Sequence, residues 1–245
     1  YKEEYHNIVP QSKKDALEEM LSKVLENKVN FEENHNRALF ATHLCYVLKK
    51  QLYGTCAVIG GGIYGITSAI KLAVAGYNVD LYEAQSDILQ SASGINQYRI
   101  HRGYHYPRSK ETILSCKDGQ NKFIKYYRRC ILDEYEHFYS IAEEGSLTSP
   151  SEYLSILDEV KLEWRVVEKQ KGCVLTVQVE ENLFDIKILY DICKERIKGV
   201  GIKLITNNRI QSLESLKDYS YIVIATYANL NDLDSELNNY QFELC

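Results

Sequence analysis

The sequence predicts an α/β fold, a parallel sheet alternating with helices, preceded by an N-terminal helical extension. Three observations predict it. Residues Thr55 to Glu83 read as strand, glycine-rich turn, helix and strand, in that order. Late in the chain the alternation returns, with a helix over Phe184–Lys198, a strand over Ile202–Thr206 and a buried apolar strand over Tyr221–Ala225. Ahead of both, residues 12–28 and 33–50 carry apolar residues at helical spacing.

The stretch from Thr55 to Glu83 carries the most information. Cys56-Ala57-Val58-Ile59 is a continuous apolar run, as a buried strand requires. Gly60-Gly61-Gly62-Ile63-Tyr64-Gly65 then gives the pattern G-x-G-x-x-G. A helix follows, with Ile63, Ile66, Ile70, Leu72 and Ala73 apolar, and Gly76 stands where a helix C-terminus favours glycine. Val79 to Tyr82 is the second strand, and Glu83 ends it. Each part has a task in binding a dinucleotide. Gly60 makes the tight turn, Gly62 lets backbone approach a pyrophosphate, and Gly65 lets the helix sit close on the sheet. The helix N-terminus, at Ile63 and Tyr64, offers free N–H groups and about half a unit of positive charge. Glu83 follows the glycines by about 20 residues, where a carboxylate can accept hydrogen bonds from a ribose diol. An acid there repels a 2′-phosphate, so FAD or NAD fits better than NADP. The structural alternative is a glycine-rich turn and nothing more.

Bulk properties exclude several classes. The 245 residues allow one large domain or two small ones. Hydrophobic content of 45% and charged content of 26% are ordinary for a globular chain. The net charge of −5 argues against nucleic acid as the main partner. No apolar run reaches the roughly 18 residues of a membrane span. The polar start, Tyr1 to Pro10, does not read as a signal peptide. Seven scattered cysteines without a C-x-x-C fit reduced thiols in the cytoplasm better than disulfides or a zinc site, and no metal site is expected. The chain lacks an initiator Met and stops at Cys245, which suggests a piece of a longer protein.

The N-terminal extension, 1–53, reads as a helical hairpin. Leu17, Met20, Leu21, Val24 and Leu25 share one side of its first helix, where Ser12 and Asp15 resemble a cap. Leu39, Phe40, His43, Leu44, Val47 and Leu48 mark the second. His43 reads as a packed or interfacial residue rather than a ligand. The junction Tyr53-Gly54 leads into the first strand.

After Glu83 comes a loop from Ala84 to Gln90, then Ser91 to Ser109, a stretch without clear period. Between Tyr98 and Arg108 it gathers Arg99, Arg102, Arg108, His101, His105, Tyr98, Tyr104 and Tyr106. A solvated basic loop is the plain reading. Single-stranded nucleic acid is a weaker one, given the acidic chain. The fingerprint, the acid at 83 and S-x-S-x-x-N-x-x-R-I-H-x-G-Y-H-Y together resemble FAD-dependent oxidoreductases of the D-amino-acid oxidase type. The resemblance covers 54–245, and its specific part ends near residue 108. It implies a Rossmann-like FAD-binding domain over 54–245, truncated at its C-terminus, with the start of an inserted substrate domain at about 131–180. The loop would then run from pyrophosphate to isoalloxazine. Ala84, Ser91, Ser93 and Asn96 would join the glycines and Glu83 along the adenosine, phosphate and ribityl path, with Arg99 and His101 near the ring.

Downstream, residues 110–130 read as a helix with Ile113, Leu114, Phe123, Ile124 and Tyr127 in the core. Tyr135 to Ala142 reads as a strand. Ser149-Pro150-Ser151-Glu152 has an N-cap serine, Pro at N1 and Glu at N3, and starts a helix to about Val160. Trp164–Val167 and Cys173–Val179 read as strands. The helix over Phe184–Lys198 has Ile186, Ile188, Leu189 and Ile192 apolar, and a further strand is expected around Ile210. By the resemblance, backbone near Ile210 would contact adenine, and Thr226, after the last strand, would return the chain to FAD. Tyr227 stands where the family usually has glycine.

A flavin enzyme takes a hydride from a substrate carbon, and a hydroxyl substrate also needs a base. Histidine suits that role. His101 is the first candidate and His105 the second. His101 is equally suited to hydrogen-bonding or covalently carrying the flavin. Arg102 or Arg108 can clamp a carboxylate-bearing substrate; Arg99 can pair with phosphate or an acidic neighbour. Tyr104 and Tyr106 read as packing residues. Three functions remain open: an FAD-dependent oxidoreductase acting on a small amino acid, hydroxy acid or sugar derivative; an NAD-binding Rossmann enzyme; and a truncated FAD-binding module without catalysis. The long loop after Glu83 and the late strand at 221–225 count against NAD.

Overall fold

The computed structural model describes residues 54–233. The helices expected at 12–28 and 33–50, with His43, lie outside the described residues. The described residues divide into two compact units, one formed by 54–93 with 195–233, the other by Gly94–Lys194.

The first unit is built on a four-stranded parallel sheet. Its strands are β1 (Thr55–Ile59), β2 (Asn78–Tyr82), β9 (Lys203–Ile205) and β10 (Tyr221–Ile224), in the order β10-β1-β2-β9. β1 is central, and Cys56, Ala57, Val58 and Ile59 are all buried. Helix α1 (Ile63–Ala75) connects β1 to β2 and buries Gly65, Ile66, Ala69 and Ile70. It ends at Gly76, which takes a left-handed φ of 107° and donates its N–H to the Ala73 carbonyl. Ala57 and Ile59 form a small core with Leu216 and Leu233, and Ile210, Tyr82 and Tyr219 pack against it.

Two expectations fail in this unit. Ile210 is not in a strand: the chain leaves the sheet after Ile205, and Asn207 and Asn208 donate their N–H groups to the Gln85 and Glu83 carbonyls. Those amides tether the loop after Glu83 and are spent for any ladder. β10 is only half-buried, and its Tyr221 is 50% exposed.

The second unit holds two small antiparallel sheets. One orders β3 (Arg99–Ile100), β8 (Asn182–Phe184) and β4 (Ile131–Leu132) as β3-β8-β4. The other orders β5 (His137–Ala142), β7 (Cys173–Val179) and β6 (Trp164–Val166) as β5-β7-β6. Helices α2 (Lys110–Tyr127) and α3 (Pro150–Glu159) complete it. Its core joins Tyr104, Ile113, Tyr153, Leu157, Leu175 and Val177. Helix α4 (Ile186–Gly199) leads out of this unit. It starts at Ile186, not Phe184, because the Asp185 carboxylate accepts from the Lys187 and Ile188 amides. Phe184 instead pairs with Ile131 in the sheet. Leu114 is 46% exposed rather than in the core, since α2 buries the stripe Ile113, Gln120 and Tyr127. The period-free loop contains β3, held by two residues of β8.

Among the described residues, no helix is long and apolar enough to cross a membrane. No group of three or more His, Cys, Asp or Glu is placed there to hold a metal ion.

The α3 start is a full capping box: Ser149 accepts from the Glu152 amide, and the Glu152 carboxylate accepts from the Ser149 amide. We expect Ser149→Ala to cost about 1 kcal/mol. Thermal melting should show a fall of about 2–4 °C in Tm; an unchanged melt contradicts the box.

Candidate functional site

In the first unit the site is the turn between β1 and α1. Gly60 has φ 110°, and a Cβ there would overlap the Ala225 carbonyl oxygen at the end of β10. A Cβ on Gly65 would overlap the Gly60 carbonyl oxygen, so α1 sits as close to the turn as glycine allows. Gly62 differs. A Cβ there meets one atom, Ser93 Oγ, at 3.2 Å. Its surroundings within the unit are open, as an approaching ligand requires.

Ile63 and Tyr64 begin the helix. The Ile63 amide donates to Ser93 Oγ at 3.0 Å, so this serine already satisfies one of the helix-end donors. Tyr64 is 82% exposed. No acidic residue lies in the first turn to compete for an anion. Glu83, at the end of β2, accepts from the Gly61 amide at 2.6 Å and the Gln85 amide at 2.7 Å. Its backbone N–H donates to Ile205, and its carbonyl accepts from Asn208. The acid is thus fixed beside the glycine turn from both main chain and side chain. Ala84 and Ser91 are exposed. The Leu89 amide donates to the Gly61 carbonyl and folds the intervening loop back onto the turn.

Thr226 follows β10, and Gly60 lies against it: a Cβ on Gly60 would be 3.6 Å from the Thr226 amide nitrogen. The Thr226 hydroxyl is buried and has no hydrogen-bond partner. The next residue, Tyr227, takes a left-handed φ of 52° that glycine would adopt without strain. These features fit a cofactor with phosphates: a glycine turn, a helix N-terminus, and an orphan hydroxyl on the residue whose amide lies near Gly60. Ile210 packs below, against the Ala57 and Ile59 core.

In the second unit a buried carboxylate organises the remaining candidates. Glu181 has a fully buried side chain. Its Oε2 accepts from Arg99 Nη2 at 2.7 Å and the Tyr139 hydroxyl at 3.0 Å. Its Oε1 accepts from the Arg102 amide at 2.8 Å and faces His101 Nδ1 at 3.9 Å. The Arg99 guanidinium also lies 4.9 Å from the Tyr139 ring centroid. Burial and the Glu181 charge push the Tyr139 hydroxyl well above its usual range.

His101 is held below its ordinary value of 6.5, mainly by burial; Glu181 opposes this, while Arg99 and His105 add to it. The His105 ring lies 6.1 Å from that of His101. Arg102 is engaged: its guanidinium pairs with Glu180 at 3.1 Å and Glu163 at 3.4 Å. Asn96 accepts from the Tyr98 amide at 2.6 Å and shapes the entry to β3. Arg108 is exposed. Tyr104 is buried in the core and donates to the Glu163 carbonyl, and Tyr106 is 40% exposed.

Sequence reasoning missed Glu181, His137 and Tyr139. His137 is buried, with Nε2 unpartnered, and burial lowers its pKa further with help from Arg99. The signal was there: His137, Tyr139 and Ile141 alternate on β5 opposite Val179, Val177 and Leu175.

Comparison with known proteins extends this picture. The family model described as FAD dependent oxidoreductase (DAO) matches residues 55–221. The chain is 35% identical over 100 residues to the FAD-dependent monooxygenase FPY4 of Fusarium mangiferae, covering 41% of this chain and 27% of that protein. It is 37% identical over 94 residues to the FAD-dependent monooxygenase kojA of Aspergillus flavus, covering 38% and 22%. The chain thus spans about a quarter of the length of these relatives. Glycine oxidase from Geobacillus kaustophilus superposes with a TM-score of 0.62 at 11% identity, over 76% of this chain and 58% of that one. L-amino acid deaminase from Proteus vulgaris, lacking its specific insertion, gives 0.60 at 17% identity, over 76% and 56%. At such identities the structures speak for the fold alone.

His101 and His137 both have folded-state pKa values below 6.5. Such groups contribute stability above the unfolded pKa, and it is lost as pH falls through the folded value. Urea midpoints should therefore fall between about pH 7 and pH 5. His137→Gln should flatten that slope; an equal slope in the variant contradicts the assignment.

Proposed function

The chain belongs to the DAO family of FAD-dependent oxidoreductases, and on that footing we propose that its first unit holds the adenosine and pyrophosphate of FAD. The observation that carries this reading is the glycine cradle backed by the buried, unpartnered Thr226 hydroxyl. Amides at Gly62, Ile63 and Tyr64 would meet the phosphates, with Gly60 and Gly65 setting their position. For the Ile63 amide this means exchange of Ser93 Oγ for a phosphate oxygen, or a phosphate shared with that hydroxyl. Glu83 and Ala84 would meet the ribose, and backbone near Ile210 the adenine. Ser91 and Ser93 would line the phosphate path.

The reaction proposed is oxidation of a small amino acid, hydroxy acid or sugar derivative. FAD, when bound, supplies the hydride acceptor. The chain's own part is to orient substrate, exclude water and take a proton. We assign that proton to His101 Nε2, with His105 as the second candidate. An imidazole held below 6.5 is neutral at neutral pH and able to accept. Arg102 would anchor a carboxylate-bearing substrate only by exchanging it for Glu163 or Glu180. The second unit, which contains 131–180, would begin the substrate domain.

A second reading is oxygen insertion, favoured by the monooxygenase names of the relatives at 35% and 37% identity. Labelled dioxygen separates the two: label in the organic product supports insertion, and label only in hydrogen peroxide or water supports oxidation.

Purified protein should absorb near about 375 and 450 nm, as flavoproteins do. Gly62→Val should remove that absorbance while leaving the circular dichroism of the fold, because Gly62 is open on the protein side. Undiminished flavin content in Gly62→Val contradicts the site.

A further inference from the structure

We infer that Glu181 is the positioning residue for His101, holding Nδ1 toward its carboxylate and leaving Nε2 as the nitrogen that exchanges a proton with substrate. This rests on the assignment of His101 as the base. Three donors fix the carboxylate: the Arg99 guanidinium, the Tyr139 hydroxyl and the Arg102 amide. Two of them occupy Oε2. Oε1 receives the Arg102 amide and keeps a lone pair, and His101 Nδ1 lies 3.9 Å from it. That nitrogen is buried and has no hydrogen-bond partner, although the ring as a whole keeps a side-chain exposure of 38%. A contraction of about 1 Å closes the gap to the length of a charge-assisted hydrogen bond.

The chemistry follows from the inventory of the two groups. An ionised carboxylate only accepts, so the nitrogen that faces it is the one that carries the proton in neutral imidazole. Nε2 then has its lone pair free. When Nε2 takes a proton from a substrate hydroxyl or amine, the imidazolium that forms faces the Glu181 carboxylate. The charged and titratable groups facing His101 are Glu181, Arg99 and His105. Arg99 is itself paired with Glu181, so the carboxylate both attracts the imidazolium and screens it from the guanidinium.

Ring 15N shifts of His101 in the labelled full chain, followed between about pH 5 and pH 8, test this directly. His101→Gln identifies the resonance. The expected result is a neutral imidazole protonated mainly at Nδ1. In Glu181→Gln that preference should be lost and the midpoint should fall by about half a pH unit or more. A wild-type ring protonated mainly at Nε2 overturns the inference, and needs no variant to fold. An unmoved midpoint in Glu181→Gln overturns it as well. The functional reading fails separately: if His101→Asn leaves the rate of flavin reduction unchanged while the wild-type ring is protonated at Nδ1, the contact stands and the base is another group.

Discussion

Three pieces of backbone meet at the end of β1, and the first unit depends on that meeting. Gly60 turns the chain with φ 110° against the Ala225 carbonyl, and Gly65 brings α1 down onto the Gly60 carbonyl. No side chain fits at either point. The closeness sets where the α1 N-terminus points and leaves the Ser93 hydroxyl as the one group near where a Gly62 Cβ would stand. It also brings the end of β2 alongside, where the Gly60 amide donates to the Tyr82 carbonyl and the Gly61 amide to Glu83. The acid and the helix-end donors are therefore parts of one rigid corner. In the oxidoreductase family to which the chain belongs, such a corner has the right chemistry for a dinucleotide: donors for phosphate, an acceptor for ribose.

The second unit is organised by a different constraint, a negative charge without water. A buried carboxylate is tolerated only when its oxygens are satisfied, and removing one partner of such a pair costs about 3–5 kcal/mol. Glu181 meets this with a guanidinium, a phenol and a main-chain amide. The arrangement draws residues far apart in sequence into one place, and it spends Arg99 on structure. Of the basic residues in the loop before α2, Arg99 and Arg102 are paired with acids. The histidines keep solvent access and with it the capacity for proton exchange.

What was legible in the sequence follows the range of the forces. The turn at Gly60, the helix stop at Gly76 and the capping box at Ser149 are local, and each was readable from a few neighbouring residues. β1, β2, β7 and β10 were readable because their apolar runs are bounded by turns. Ile210 misled because its apolar side chain packs on the sheet from outside any strand. Phe184 misled because an apolar residue before a helix looks like its first turn; the Asp185 cap decides otherwise. Glu181 was invisible as a site residue. Its partner Arg99 stands 82 positions earlier, and two acids after a strand read as a solvated end. His137 is readable in principle, from its phase with the buried Ile141 on β5.

The corner formed by Gly60, Gly62 and Glu83 makes the most direct demand on experiment. Titration of the chain with FAD, followed by quenching of flavin fluorescence, should saturate at one FAD per chain. ADP should compete, because it presents the same pyrophosphate and ribose diol. Adenosine 2′,5′-bisphosphate should not, because its 2′-phosphate meets Glu83. Absence of FAD binding, or competition by the 2′-phosphorylated nucleotide as strong as that by ADP, would contradict the account.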